Sequence, residues 1–231
     1  MIASAGFWSG ALLFFTGLLM LPRRRGFALL AAGAAAMAGA LLAPARERRV
    51  SRWRSRLDAL MPAWQFREVH ELHIDASPER VYEATRAVRA DEIFLFRTLT
   101  WIRRAGRKTE HGILNPGSRE PLIDVATRTG FVRLAEDAPR EIVIGMAVIG
   151  PRATAADFPN PPHPETALAA MNFHVRPAGE GSLLRTETRV FANGARARRR
   201  FAWYWRLIYP GSSLIRYAWL RAIAKRVVRS S

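Results

Sequence analysis

The sequence contains no cysteine. That excludes disulfides, thiolate nucleophiles and thiolate metal ligands, but leaves the compartment open, because a cysteine-free chain can occur in oxidising and reducing surroundings alike. Lysine is almost missing too: of 36 basic residues only Lys108 and Lys225 are lysine, and the rest are arginine. Acidic residues number 19, so the formal net charge is +17. Part of the arginine and alanine excess fits a GC-rich coding sequence. Physically, such a chain is drawn to anionic surfaces, either a lipid leaflet at about 1 kcal/mol per basic residue near it or a nucleic acid.

Several chemical signatures are also absent. There is no phosphate-binding loop, no dinucleotide fingerprint and no Gly-x-Ser-x-Gly elbow. The histidines His70, His73, His111, His163 and His174 form no ligand cluster. His70 and His73 have i, i+3 spacing, which on a strand points the two rings to opposite faces. No cofactor and no metal are therefore expected.

Charge is missing from two long stretches. Ile2–Leu21 is uncharged and carries Phe7, Leu12, Leu13, Phe14, Phe15, Leu18, Leu19 and Leu21. Residues 27–45 are uncharged but dominated by alanine and glycine, and Pro22-Arg23-Arg24-Arg25-Gly26 separates the two runs. A bilayer core of about 30 Å needs about 20 apolar residues in a helix. The pattern predicts a transmembrane helical hairpin, with spans at about 2–21 and 27–45, in an integral protein of the inner (cytoplasmic) membrane. The lipid bilayer is then a partner, and nucleic acid is not expected. Gly6 and Gly10 at GxxxG spacing and the alanines of 31–40 suit close helix packing, within the hairpin or in a homodimer. Two other readings stay open: a buried hairpin, and a secretory signal over residues 20–45, where arginines, an apolar run and Ala43-Pro44-Ala45 follow one another. Arginines flank the second run on both sides; the larger cluster, Arg46 to Arg56, favours a cytoplasmic main domain.

Residues 46–64 read as a basic linker, with Trp53, Leu57, Leu60 and Trp64 on one face of a helix that lies either on a membrane interface or on the domain. The remaining residues, 65–231, suffice for one domain with a real core. Phe66–Ala76 alternates as a first strand. Ser77-Pro78 opens a helix to Val88, and residues 91–104 read as a second short helix. Residues 103–121 are loop-like, with strands expected at 122–127, 130–135, 141–149, 166–176 and 183–192 and a proline-rich loop at 151–165. On the last strand Leu184, Thr186, Thr188 and Val190 share one face; Arg185, Glu187 and Arg189 share the other, and Glu187 and His174 read as solvated. The C-terminal segment is helical from Arg198, interrupted at Pro210-Gly211, and then amphipathic, with Ile215, Trp219, Ala222 and Ile223 as its apolar stripe.

Three segments carry a family likeness: His70-Glu-Leu-His-Ile-Asp-Ala-Ser-Pro-Glu-Arg-Val-Tyr82, Leu184-Arg-Thr-Glu-Thr-Arg-Val190 and Tyr204-Trp-Arg-Leu-Ile-Tyr-Pro-Gly-Ser-Ser-Leu-Ile-Arg216. In that order the chain over residues 66–229 resembles the START-like superfamily (SRPBCC, Bet v 1-like, polyketide cyclase/dehydrase). The resemblance implies an α+β helix-grip fold, a curved antiparallel sheet wrapped on a long C-terminal helix, here behind the N-terminal transmembrane hairpin. It also implies a cavity between sheet and helix for a hydrophobic small molecule such as a lipid, isoprenoid or quinone. Phe173, Trp203, Tyr204, Tyr217 and Trp219 are the candidate ligand-binding residues. Some members of the superfamily are enzymes. If this chain is one, Asp124, read on a strand with Leu122 and Ala126, is the candidate acid or base, unless an arginine pairs it. A structural protein whose cavity is filled by its own side chains is the third reading.

Overall fold

The computed structural model describes residues 2–43, 45–103, 120–158 and 163–229. The loop expected at 103–121 lies almost wholly outside them, as does the centre of the proline-rich loop. Two N-terminal helices, α1 (Ile2–Leu19) and α2 (Arg24–Leu42), form an antiparallel hairpin. Glycines set its spacing. A Cβ at Gly33 would lie 2.5 Å from the Phe14 nitrogen, and one at Gly17 would lie 2.6 Å from the Leu30 nitrogen, so the two backbones touch where side chains would hold them apart.

The membrane-spanning reading is corrected here. Among the described residues, no helix is long and apolar enough to cross a membrane. The helical part of the first run stops at Leu19, and Met20–Pro22 belong to the turn. Its 18 residues reach about 27 Å at 1.5 Å per residue, short of a hydrocarbon core of about 30 Å. The second helix takes in Arg24 and Arg25, which shortens its uncharged part. The assignment to an integral membrane protein falls with that finding.

The basic linker is not one helix. It is split into β1 (Arg48–Arg49), α3 (Arg56–Leu60) and β2 (Ala63–Trp64), with β1 and β2 paired. Ser55 caps α3 in a capping box with Asp58, which fixes where this short helix begins. Leu57 and Trp64 are buried, whereas Trp53 is 64% exposed.

The rest is a helix-grip architecture. Five antiparallel strands, β3 (Phe66–Ile74), β4 (Val132–Asp137), β5 (Glu141–Ile149), β6 (Thr166–Ala178) and β7 (Gly181–Asn193), pair in the order β3-β7-β6-β5-β4. Between β3 and β4 come α4 (Pro78–Ala87), α5 (Phe96–Arg103) and α6 (Leu122–Thr129). The last element is α7 (Ala195–Arg229), a helix of 35 residues lying against β3, β6 and β7. Residues 122–127 are therefore helix and not strand. Leu122, Ile123, Val125 and Ala126 are the buried residues of α6, the i, i+1, i+3, i+4 spacing of a helix face.

Register assigns the inner face, which α7 covers. One row across the sheet is Phe66, Val190, Ala169 and Met146; the next is Glu68, Thr188, Met171 and Ile144; the third is His70, Thr186, Phe173 and Ile142. Phe201 packs on Phe66 with ring centroids 4.9 Å apart, and Trp219 packs on Phe173 at 4.9 Å. The outer face is covered by residues 57–61, whose Leu57 and Met61 pack with Val143, Ala153, Phe158 and Leu168.

Pro210 does not interrupt α7, which runs through it. A proline inside a helix removes the N–H that would bond the carbonyl four residues earlier, here that of Arg206. The Trp8 indole of α1 donates to the Arg206 carbonyl oxygen at 2.8 Å and replaces it. Arg206 in turn donates to the Ala43 carbonyl at 2.8 Å. The hairpin and the gripping helix thus meet at the proline.

Candidate functional site

Between the two aromatic clusters of the inner face, packing leaves a cavity of about 180 Å³. Its floor is Met146, Ala169, Met171, Thr188 and Val190 of the sheet. Its roof is α7, through Trp205, Ile208, Ser212 and Trp219, and Phe96 and Thr100 of α5 and Phe131 close its side. The sequence explains the gap. Along the floor Ala169 stands where its neighbours on either side of the row are Val190 and Met146, so a small side chain faces the middle of the helix.

The five residues named from the sequence divide. Tyr204 and Trp219 line the cavity. Phe173 is buried against Trp219 and supports its wall. Trp203 is 58% exposed and outside the lining. Tyr217 is on a second, open cleft between α1 and α7, together with Trp8, His70, Tyr209 and Ser213. The Tyr217 hydroxyl accepts from Arg221 at 2.6 Å.

Asp124 lies on α6 and away from the cavity lining. Its carboxylate faces Arg133 at 3.4 Å and Arg86 at 3.9 Å. The same cluster holds Glu136, which accepts from Arg133 and from the Tyr82 hydroxyl at 2.9 Å. Burial and the Glu136 carboxylate push the Tyr82 hydroxyl up to about 12.

Sequence reasoning missed Glu68. It sits on β3 in the same row as Thr188 and Met171, is 2% exposed, and faces the inside. Its Oε1 lies 2.9 Å from His70 Nε2, and its Oε2 accepts from the Ser212 hydroxyl at 3.1 Å. With Glu68 ionised, His70 Nε2 carries the hydrogen between them. Strand alternation was the signal that could have found Glu68, since it lies two residues from Phe66 and from His70 and shares their face.

The reading of Glu187 as solvated is also corrected. It is 3% exposed on the outer face, beneath the residues 55–64. Arg67 and Arg189 each donate to it, at 2.6 and 2.7 Å, as does Arg185 at 2.7 Å. Arg189 also reaches Asp58 of α3 at 2.6 Å and the Met61 carbonyl at 2.9 Å. Nearby, Glu141 accepts from Asn172 at 2.5 Å and from the Arg56 nitrogen at 2.6 Å. These buried charges bind the linker to the sheet and are remote from the cavity. Among the described residues no group of three His, Asp or Glu side chains converges as a metal site would need.

No family model matches the sequence, and no curated protein matches it. Among solved structures the chain is similar to protein MLL2253 from Mesorhizobium loti, at 14% identity over 72% of this chain and 99% of that one, with a TM-score of 0.34. It is similar to TTHA0849 from Thermus thermophilus, at 12% identity over 72% and 99%, with a TM-score of 0.33. It is also similar to CalU16 from Micromonospora echinospora, at 15% identity over 71% and 84%, with a TM-score of 0.24. At scores this low the likenesses add nothing to what the chain's own geometry shows.

Proposed function

We propose that this chain binds or presents a hydrophobic ligand, of the lipid, isoprenoid or quinone kind, in the cavity between the sheet and α7, as a START-like protein would. The observation that carries the reading is the cavity itself, an apolar space left between two packed aromatic clusters. A dry apolar cavity of about this size takes a small ring or chain, so it would hold one end of such a molecule while the rest leaves through the mouth. Burial contributes about 0.8 kcal/mol per methylene.

A lipid surface as the source of the ligand belongs to the same proposal. Leu12, Phe15, Leu19 and Phe27 of the hairpin are all more than half exposed, beside the exposed Arg23, Arg24 and Arg25. Apolar area flanked by cations suits an anionic leaflet, and contact with its surface requires no helix to cross it.

The test is native mass spectrometry and calorimetry of the full chain with octanol as probe. Ala169→Phe, which puts a ring into the cavity floor, should abolish binding while the chain still unfolds cooperatively. Undiminished binding by that variant would overturn the cavity as the site.

A further inference from the structure

Among the described residues every other buried carboxylate has a cation or backbone amides to balance it: Glu187 has three arginines, Asp58 of α3 has Arg189, and Glu141 has two backbone N–H groups and Asn172. Glu68 is the exception on the inner face. Among the described residues no arginine or lysine forms an ion pair with it; its partners are His70 and the Ser212 hydroxyl. A buried carboxylate in a region of low dielectric attracts any cation or strong donor that can reach it.

Glu68 itself is not in the cavity lining, but two of its neighbours are. Ser212 and Thr188 both line the cavity, Ser212 hydrogen-bonded to Glu68 and Thr188 directly opposite it in the sheet register. The Ser212 hydrogen is committed to Glu68, so its oxygen offers only lone pairs to a ligand. The Thr100 hydroxyl likewise donates to the Phe96 carbonyl at 2.8 Å. Around Ser212 the wall therefore accepts hydrogen bonds and is backed by a carboxylate, whereas the Trp219 indole N–H and the Arg216 guanidinium, which also line the cavity, are donors.

We infer that Glu68, with His70 behind it and Ser212 in front, is the head-group site of the cavity, and that it selects apolar molecules ending in an ammonium or hydroxyl group over those ending in a carboxylate. The inference rests on the cavity being the binding site. Arg216, whose guanidinium lies 5.8 Å from the Trp219 ring and also lines the cavity, is the competing determinant, and would favour the opposite order.

Three probes of one chain length decide between them: octylammonium, octanol and octanoate, titrated calorimetrically into the full chain near neutral pH. Octylammonium and octanol should bind at least about tenfold more tightly than octanoate. Glu68→Gln, which keeps the shape and removes the charge, should cut the preference for octylammonium over octanoate by about tenfold. Ser212→Ala, on the exposed side of the pair and less demanding of the fold, should weaken octanol several-fold and leave octanoate unchanged. Tightest binding by octanoate would assign the head group to Arg216 and overturn the inference, as would an unchanged preference in Glu68→Gln. Binding of all three with equal affinity, abolished by Ala169→Phe, would keep the cavity and discard the head-group site. Failure of all three to bind would discard both.

Discussion

Glu187 shows how far one residue's role depends on remote chain. On its own strand it alternates with Thr186 and Thr188 and looks like a solvated outer position. Its burial comes from residues 55–64, more than 120 positions earlier, which strand periodicity cannot report. Burial alone would raise its pKa; hydrogen bonds from Arg67 and Arg185 and the charge of Arg189 outweigh that and bring it down to about 2. The folded value lies below the ordinary 4.5, so the ionised form stabilises the fold. That contribution is complete above about pH 4.5 and is lost as the pH falls toward about 2. The shift corresponds to about 3 kcal/mol. Thermal unfolding followed from about pH 5 down to about pH 3 should show the midpoint falling more steeply for the wild type than for Glu187→Gln. The variant should already be less stable at neutral pH by about 3 kcal/mol, because it removes the carboxylate that three arginines share, the buried Arg189 among them. Parallel pH profiles would show that the cluster contributes no net stability.

At the scale of elements, the strands are legible in the sequence and the helices less so. β7 alternates cleanly in sequence, whereas β6 is buried on both faces and β3 carries Glu68 and His70 on the face under α7. α6 reads as a strand because its β-branched residues suit one, although its apolar residues come in adjacent pairs three apart. Pro210 reads as a break because local sequence offers its helix no substitute donor; the donor is Trp8, 198 positions away. This makes a sharp prediction. Trp8→Phe should cost about 1 kcal/mol in the presence of Pro210. In a Pro210→Ala background the new N–H can bond the Arg206 carbonyl within α7, and the same Trp8→Phe change should cost distinctly less. A double-mutant cycle by chemical denaturation measures the difference. A coupling of zero would mean that the indole does not replace the missing helix bond, and that hairpin and helix are merely neighbours.

For the whole molecule, the order of elements carries the architecture, since a first strand, helices, an antiparallel run and a long last helix leave few ways to bury an amphipathic stripe of that length. What the order cannot show is which parts cover the two faces of the sheet. The inner face is covered by α7, with a cavity between. The outer face is covered by the segment that reads, by composition, as a basic linker. Its Trp53, Leu57, Leu60 and Trp64 have helical spacing, yet the chain is broken by the Ser55 cap and the short strand at Ala63–Trp64, so those side chains do not share one face. Leu57 is 1% exposed in the outer cluster, and Trp53 is 64% exposed. If the segment is structural, Leu57→Ala should lower stability by about 2 to 5 kcal/mol, as a buried leucine does when it leaves a cavity. Trp53→Ala should stay within about 0.5 kcal/mol of the wild type. Urea unfolding of the two variants distinguishes this from a segment held by a lipid interface. In that case Trp53→Ala would weaken sedimentation with anionic vesicles and Leu57→Ala would hardly change the unfolding midpoint. A large loss from Leu57 with none from Trp53 would establish that the folded unit begins well before β3, and that the charges of Asp58, Glu141 and Arg189 hold that beginning down.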